Sequence, residues 1–128
     1  MSHLEVIAHM RVRPGQLDGF KKQVAELLRL TQEQDTGTLR YDWFLSRDGA
    51  ECEVHEAYAS SDSMIEHAGH IKEARNKLFA EFADGHEVKV FGEPSPEFFE
   101  MVEGMQKAGF VRVTWFSSLQ GLTQPAHV

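Results

Sequence analysis

Residues 38–59, TLRYDWFLSRDGAECEVHEAYA, decide the fold of this chain. They contain two runs, 38–47 and 51–59, in which apolar and polar residues alternate, a pattern typical of half-buried strands. The segment that joins the runs contains Asp48-Gly49, and an Asp-Gly pair between two such runs is a strong signal for a tight hairpin. The stretch therefore predicts two antiparallel strands.

A strand and a helix are predicted before this hairpin. Residues 4–13, LEVIAHMRVR, place apolar side chains at alternate positions, and Pro14-Gly15 ends the run. From Leu17 onward the apolar residues follow helical spacing, and we expect the helix to stop before Gly37, as a left-handed cap or turn residue. The order up to residue 59 is therefore strand, helix, strand, strand.

A second helix and a fourth strand are predicted after the hairpin. Ser60-Ser61-Asp62-Ser63 offers several N-caps, and Ser63 with Glu66 three residues later fits a capping box at the start of the helix. We expect Gly69 to break or bend this helix and Asp84-Gly85 to end it, before a short strand over residues 87–91. The apolar face of the helix consists of Met64, Ala68, Ile71, Leu78 and Phe82.

A third helix and a fifth strand are predicted at the C-terminal end. Ser95 is a typical N-cap with Pro96 at the first helical position, and Gly109 ends the helix before the strand FVRVTWF, residues 110–116. The chain has no internal linker or repeat. We therefore expect one domain over residues 1–128, with a core at about 3–92, an extension at 93–122 and a frayed tail at 123–128.

The order of elements predicts the fold class. Strand, helix, strand, strand, helix, strand is an α+β, ferredoxin-like split βαβ unit with an antiparallel sheet, followed here by an extra helix and strand. Its helices cover one face of the sheet, but both faces carry large apolar groups, so a second cover is expected. A homodimer through the sheet faces is the economical solution. The two sets are Val6, Met10, Tyr41, Trp43, Val54 and Tyr58 on one face, and Ile7, Phe44, Phe91, Phe110 and Phe116 on the other.

Composition excludes several classes of protein. Thirteen Lys and Arg against twenty Asp and Glu give a net charge of −7, which disfavours broad nucleic-acid binding. The lone Cys52 rules out an internal disulfide and a multi-cysteine zinc site. The N-terminal residues lack a basic region followed by a long apolar run, and no apolar stretch is long enough to span a membrane. We expect a soluble, cytoplasmic protein without a membrane partner.

Three segments resemble the antibiotic biosynthesis monooxygenase family of small dimeric α+β barrel proteins. They are VIAHMRVRPGQLDGF at 6–20, the strand at 41–47, and VHEAYASSDSMIEHAGH at 54–70. The residues that carry the resemblance, which covers about residues 3–92, are Pro14-Gly15, Glu56-x-Tyr58 and His67.

The resemblance implies several chemistries, among them cofactor-free oxygenation of quinol-like and polycyclic phenols, and haem degradation. Haem degradation is disfavoured, because the haem-degrading branch of the family has an Asn on the first strand, whereas the only Asn here is Asn76. The family pattern also places a second His five residues after His67. This chain has Lys72 at that position, and its additional imidazole is His70.

Cofactor-free oxygenation requires a base, an apolar slot that stacks the substrate ring, and hydrogen bonds for an oxyanion. His67 lies on or beside the apolar face of the second helix and is the candidate catalytic residue. Tyr41, Trp43, Tyr58 and His9 are the candidate substrate-binding residues. Each also has a purely structural interpretation, as a buried imidazole or as a core or interface aromatic. For Glu56, an ion pair with Arg or Lys is expected, since an unpaired buried carboxylate is costly.

Other site types have little support. His70, flanked by Glu66 and Glu73, is expected at the surface, and a metal site built from these residues with His67 lacks any second ligand pair. We expect no metal and no cofactor. The favoured hypothesis is a homodimeric monooxygenase without a prosthetic group, acting on a small hydrophobic, aromatic, hydroxylated substrate. The alternatives are a non-enzymatic dimeric small-molecule binding protein and an acid–base isomerase on the same scaffold.

Overall fold

A computed structural model describes residues 3–122, and the predicted tail at 123–128 lies outside this range. Within it, the α+β, ferredoxin-like fold expected from the sequence is confirmed. The elements in chain order are β1 (Leu4–Val12), α1 (Leu17–Gln34), β2 (Thr38–Leu45), β3 (Glu51–Tyr58), α2 (Ser61–Glu81), β4 (Ala83–Phe91), α3 (Pro96–Lys107) and β5 (Arg112–Phe116).

The strands form one sheet in the order β2-β3-β1-β4-β5. β1 pairs antiparallel with both β3 and β4, and β2 pairs antiparallel with β3, as in a split βαβ unit. The predicted antiparallel pairing holds for the four strands of the split βαβ unit, and the extra strand β5 runs parallel to β4. The reason is the intervening helix α3, which carries the chain back so that the next strand starts at the same end of the sheet.

Helix α2 differs from its prediction at its start and in its middle. Its N-cap is Ser60, whose Oγ accepts a hydrogen bond from the Ser63 amide at 3.2 Å. The predicted capping box does not form, because the Glu66 carboxylate accepts hydrogen bonds from Thr36 instead. The helix also continues through Gly69 to Glu81 without a break. Gly69 is exposed, and buried residues on either side of it, His67, Ile71 and Leu78, pack the helix against the rest of the protein.

Two glycines set local backbone geometry in the sheet. Gly49 has a φ of +72°, which the predicted hairpin turn between β2 and β3 requires. Gly85 has a φ of +67° and lies inside β4, where the pairing with β1 shifts register between His9 and Arg11. β4 is therefore longer than predicted, and Asp84-Gly85 forms an irregularity within the strand instead of ending the helix.

The two faces of the sheet have different environments. The covered face packs against the helices, and its β1 members Leu4, Val6, Ala8 and Met10 are buried. α3 packs on the same face, with Phe98 and Val102 beside Leu4, Val6 and Val90. The open face carries no helix in the described range and mixes charged with apolar side chains. The larger apolar or imidazole members of the open face are Ile7, His9, Phe44, His55, Phe91 and Phe116.

Among the described residues, no helix is both long enough and apolar enough to cross a lipid bilayer.

Candidate functional site

A cavity of about 90 Å³ lies between the covered face and helices α2 and α3. Its walls are mostly apolar, and α3 contributes Phe98, Met101 and Met105 to them. The polar side chains that border it are Tyr41, Glu56, His67, Arg75 and His86. The site is therefore a small apolar pocket with a few convergent polar groups, which is the usual form of a small-molecule site.

His67 is the most buried polar member of the cavity wall. α2 presents it toward the sheet, and its side chain is 1% exposed. Its Nδ1 lies 2.6 Å from Asp35 Oδ2, whereas its Nε2 is buried and has no hydrogen-bond partner among residues 3–122. Burial lowers the pKa of His67 despite the Asp35 hydrogen bond. A neutral imidazole that donates from Nδ1 keeps a lone pair on Nε2, which is the form a general base requires.

Asp35 holds this imidazole from the turn between α1 and β2. Burial would raise the pKa of Asp35, but hydrogen bonds from His70, Thr38 and His67 outweigh it and keep that pKa below its ordinary value. Asp35 is therefore an ionised acceptor. The prediction that His70 is a solvated surface residue is wrong in part, because its Nδ1 lies 2.6 Å from Asp35 Oδ1 and its side chain is only 28% exposed.

The predicted aromatic residues collect around His67. Tyr41 and Tyr58 place their ring centroids 4.6 and 5.3 Å from the imidazole. Trp43 packs edge-on to Tyr41 at 5.6 Å. Tyr41 and Trp43 border the cavity directly, whereas Tyr58 is fully buried and its hydroxyl donates to Glu56. Burial and the nearby Glu56 raise the pKa of Tyr41, so its phenol stays protonated and can donate a hydrogen bond.

Glu56 does not form the ion pair predicted for it. Its hydrogen bond comes from Tyr58, and no Lys or Arg of the described range lies within ion-pair distance. Burial raises the pKa of Glu56 to about 7, while the Tyr58 hydrogen bond and the positive charge of Arg75 act in the opposite direction. A carboxyl group with this pKa exchanges protons near neutrality and is a second acid–base group in the cavity.

Three polar residues of the site were not predicted: Asp35, Arg75 and His86. Asp35 contacts residues 32 and 35 positions later in the chain, and nothing local indicates those contacts. Arg75 did carry a signal, because it lies four residues after Ile71 and three before Leu78 on the apolar face of α2. His86 stacks on Phe79, and burial together with Arg75 lowers its pKa to about 4.

His9 is not brought to the cavity. It lies on the open face, with Nε2 2.8 Å from Glu51 and Nδ1 3.3 Å from Glu53. His55, on the same face, contacts Glu53 at 3.3 Å. Both ring nitrogens of His9 are therefore engaged by carboxylates, on the side of the sheet away from His67.

Asp35, Glu66 and His70 place ligand atoms within 4.8 Å of one another. Each is already engaged in hydrogen bonds: Asp35 with both histidines and Thr38, and Glu66 with the backbone and hydroxyl of Thr36. The cluster therefore ties the turn after α1 to α2, which positions Asp35 against His67.

Comparison with known proteins agrees with this fold. The sequence profile of the antibiotic biosynthesis monooxygenase family matches residues 4–87. α3 and β5, which complete the cavity, lie beyond that match. No curated protein matches the chain significantly.

Solved structures share the fold at low sequence identity. MupZ from Pseudomonas fluorescens superposes with a TM-score of 0.74 at 18% identity, covering 98% of each chain. Rv0793 from Mycobacterium tuberculosis has a TM-score of 0.62 at 25% identity, covering 73% of this chain and 96% of its own. SO0527 from Shewanella oneidensis has a TM-score of 0.62 at 18% identity, covering 70% and 88%. Of these three, MupZ also aligns with the C-terminal extension.

Proposed function

Because this chain belongs to the antibiotic biosynthesis monooxygenase family, we propose that it is a cofactor-independent monooxygenase of a small hydrophobic, aromatic, hydroxylated substrate. One observation carries the proposal. A buried imidazole, His67, is held through Nδ1 by an ionised carboxylate and keeps its Nε2 unpartnered within the described residues, at a mostly apolar cavity. This arrangement supplies a base in a water-poor site.

The proposed reaction begins when His67 Nε2 accepts the proton of a substrate hydroxyl. The electron-rich anion then reduces dioxygen, and a bond forms between a ring carbon and oxygen. Cleavage of the O–O bond leaves one oxygen atom in the product and releases the other as water. The substrate supplies all four electrons, so a hydroquinone and O₂ give a hydroxyquinone and water. Asp35 stabilises the imidazolium, and the Tyr41 phenol donates a hydrogen bond to the substrate oxyanion.

The size of the cavity favours a one-ring substrate. Its volume of about 90 Å³ is below the ~150 Å³ of an apolar cavity that takes up benzene, so even one ring requires the walls to yield. Met64, Met101 and Met105 border the cavity, and unbranched thioether side chains rearrange readily. Two of the three belong to α3, so the extension is the part of the wall that adapts to the substrate.

Oxygen uptake by the purified protein tests this proposal. The protein is treated with EDTA and given single-ring hydroquinones and three-ring anthrones in separate assays. We expect one O₂ consumed per substrate oxidised, faster with hydroquinones, and a loss of about 10²- to 10⁴-fold in His67→Ala. Uptake no faster than autoxidation with every substrate, or full activity in His67→Ala, would contradict it. His55→Ala is the matched control, because it removes an imidazole from the open face.

An acid–base isomerase is the second candidate. It is favoured by the presence of two groups suited to proton transfer, Glu56 and His67, on one cavity wall. An isomerase would convert its substrate without consuming oxygen, so the same assay followed by product analysis separates the two. A binding protein would show saturable ligand binding and no turnover.

We also propose that two copies associate through their open faces, as a cytoplasmic homodimer. Proteins of the family are commonly dimeric. Phe44 and Phe116 are 48% and 43% exposed on this face, beside the partly buried Ile7 and Phe91. Light scattering at micromolar concentration is expected to give about twice the 14.5 kDa chain mass, and a monomer would contradict the dimer.

A further inference from the structure

Arg75 is a cation at the cavity without an ionic partner. It is half-buried on α2, and among residues 3–122 no carboxylate lies within ion-pair distance of its guanidinium and no acceptor takes a hydrogen bond from it. Five other arginines, most of them more exposed, each donate a hydrogen bond: Arg11, Arg13, Arg29, Arg40 and Arg112. Arg75 thus differs from them in lacking a partner while bordering an apolar pocket.

The guanidinium lies close to the other polar groups of the site. Its positive charge acts on Tyr41, Glu56, His67 and His86 and favours a lower pKa in each. In Tyr41 and Glu56 burial outweighs this effect, so their pKa values are raised overall. Those groups come from β2, β3, α2 and β4. The charge of Arg75 therefore acts on polar groups of four elements that border the same cavity.

No group of the site neutralises this charge. Glu56 acts on Arg75 only from beyond ion-pair distance: its carboxyl accepts from Tyr58, and burial raises its pKa to about 7, so it is only partly ionised near neutrality. Asp35 is engaged by His67, His70 and Thr38. Partial burial of an unpaired guanidinium costs free energy, and an anionic ligand would recover that cost.

We infer that Arg75 binds a carboxylate of the substrate and so makes aromatic hydroxy acids the preferred substrates over their uncharged counterparts. A single guanidinium matches a carboxylate in bidentate geometry and neutralises its one negative charge, whereas it would leave part of the charge of a phosphate dianion uncompensated in this mostly apolar cavity. The chain carries a net charge of −7, so attraction of an anion has to come from a local group of this kind. The inference rests on the proposed function, because it takes the cavity as the substrate site.

Calorimetry under anaerobic conditions tests the inference without turnover. The probes are 2,5-dihydroxybenzoate and its methyl ester, which share the hydroquinone ring and differ in charge. We expect the wild-type protein to bind the acid about 10- to 100-fold more tightly than the ester. Arg75→Gln is expected to remove this preference, and Arg75→Lys to retain part of it, since it keeps the charge but not the bidentate fork. Lys77→Gln, which removes an exposed charge from the same helix, is the matched control and is expected to leave the preference unchanged.

Three results would overturn the inference: equal affinity for acid and ester, an unchanged preference in Arg75→Gln and Arg75→Lys, or binding of neither probe at millimolar concentration. Equal weakening of both probes in Arg75→Gln would instead place the guanidinium against the ring hydroxyls. If any of these results is found while neutral hydroquinones still cause oxygen uptake, the carboxylate site is wrong but the proposed function is intact. Arg75-dependent binding of the acid without oxygen uptake would support the carboxylate site and contradict the oxygenase.

Discussion

Each face of the sheet carries a histidine beside a carboxylate, and the two pairs differ in what remains free. On the open face, both nitrogens of His9 contact carboxylates, Glu51 at 2.8 Å and Glu53 at 3.3 Å. On the covered side, His67 contacts Asp35 through Nδ1 alone, and its Nε2 is buried beside the cavity. In the single chain the side chains of His9 and Glu51 are 35% and 55% exposed, whereas those of His67 and Asp35 are 1% and 2% exposed.

The carboxylates of β3 show the same contrast. Hydrogen bonds from His55 and His9 lower the pKa of Glu53 on the open face. Burial raises the pKa of Glu56, three residues later on the covered face, to about 7. Both are glutamates of one strand, so the position relative to water, and not the residue type, decides which one exchanges protons near neutrality.

The largest expected effect comes from removing the carboxylate partner on each side. Asp35→Asn is expected to reduce oxygen uptake about 100-fold or more, because an amide donor facing Nδ1 favours the tautomer with the proton on Nε2, which is no longer a base. Glu53→Gln, the same chemical change on the open face, is expected to leave the rate unchanged. Equal rates in the two variants would break the distinction between the faces. Circular dichroism serves as the control that both variants are folded.

Packing on the covered side is expected to dominate stability. Phe98 on α3 is 1% exposed, whereas its neighbour Phe99 is 44% exposed. Phe98→Ala is expected to lower the free energy of unfolding by about 3–5 kcal/mol, through lost burial and the cavity it leaves. Phe99→Ala is expected to cost less than about 1.5 kcal/mol. Urea unfolding measures both, and comparable losses would show that α3 does not pack as described.

Glu56 is expected to make stability depend on pH. Its folded pKa of about 7 lies above the ordinary value of 4.5, so the folded state holds the proton more tightly than the unfolded chain. The associated stability is complete below about pH 4.5 and is lost as the pH rises through about 7, by up to about 3 kcal/mol. Glu56→Gln should remove this dependence in urea unfolding at about pH 5 and about pH 8.

Glu53 is expected to contribute a pH dependence of stability with the opposite sign. Its pKa is lowered, so its contribution is present above the ordinary pKa and is lost as the pH falls. A wild-type protein whose stability rises from about pH 5 to about pH 8 relative to Glu56→Gln would contradict the raised pKa of Glu56.

The smallest effect is expected from the open-face ion pairs. His9→Ala removes contacts to Glu51 and Glu53, whose side chains are 55% and 47% exposed. Such pairs are expected to contribute less than about 1 kcal/mol, and less still at high salt. Urea unfolding at low and high ionic strength checks this, and a large, salt-independent loss would show that the partner copy buries these pairs in the proposed dimer.

The sequence predicted the elements whose signals are local. The hairpin follows from Asp48-Gly49 between alternating runs, and α3 begins at Ser95-Pro96 as expected, with the Ser95 hydroxyl accepting from the Phe98 amide. The start of α2 was wrong because several serines compete as N-caps there, and a tertiary contact from Thr36 to Glu66 removes the residue that would complete the box.

The candidate site was predicted only in part, because some of its contacts join residues that are far apart in the chain. Helical spacing placed His67 on or beside the buried side of α2, and strand alternation placed Tyr41 and Trp43 on one face of β2 but did not decide which face meets the helices; in the structure all three border the cavity. The partner Asp35 could not be predicted, because it comes from a turn and reaches His67 across 32 residues. His9 was grouped with the site although strand alternation gives it the same face as Ile7, away from the helices.

The tautomer of His67 tests most directly whether this residue is the base of the site. Long-range ¹H–¹⁵N correlation spectra of labelled protein at about pH 7 report which nitrogen carries the proton. We expect a neutral imidazole with the proton on Nδ1 and an unprotonated Nε2, since Asp35 is ionised and the pKa of His67 is lowered. A proton on Nε2, or a doubly protonated ring, would contradict the assignment of His67 as the base.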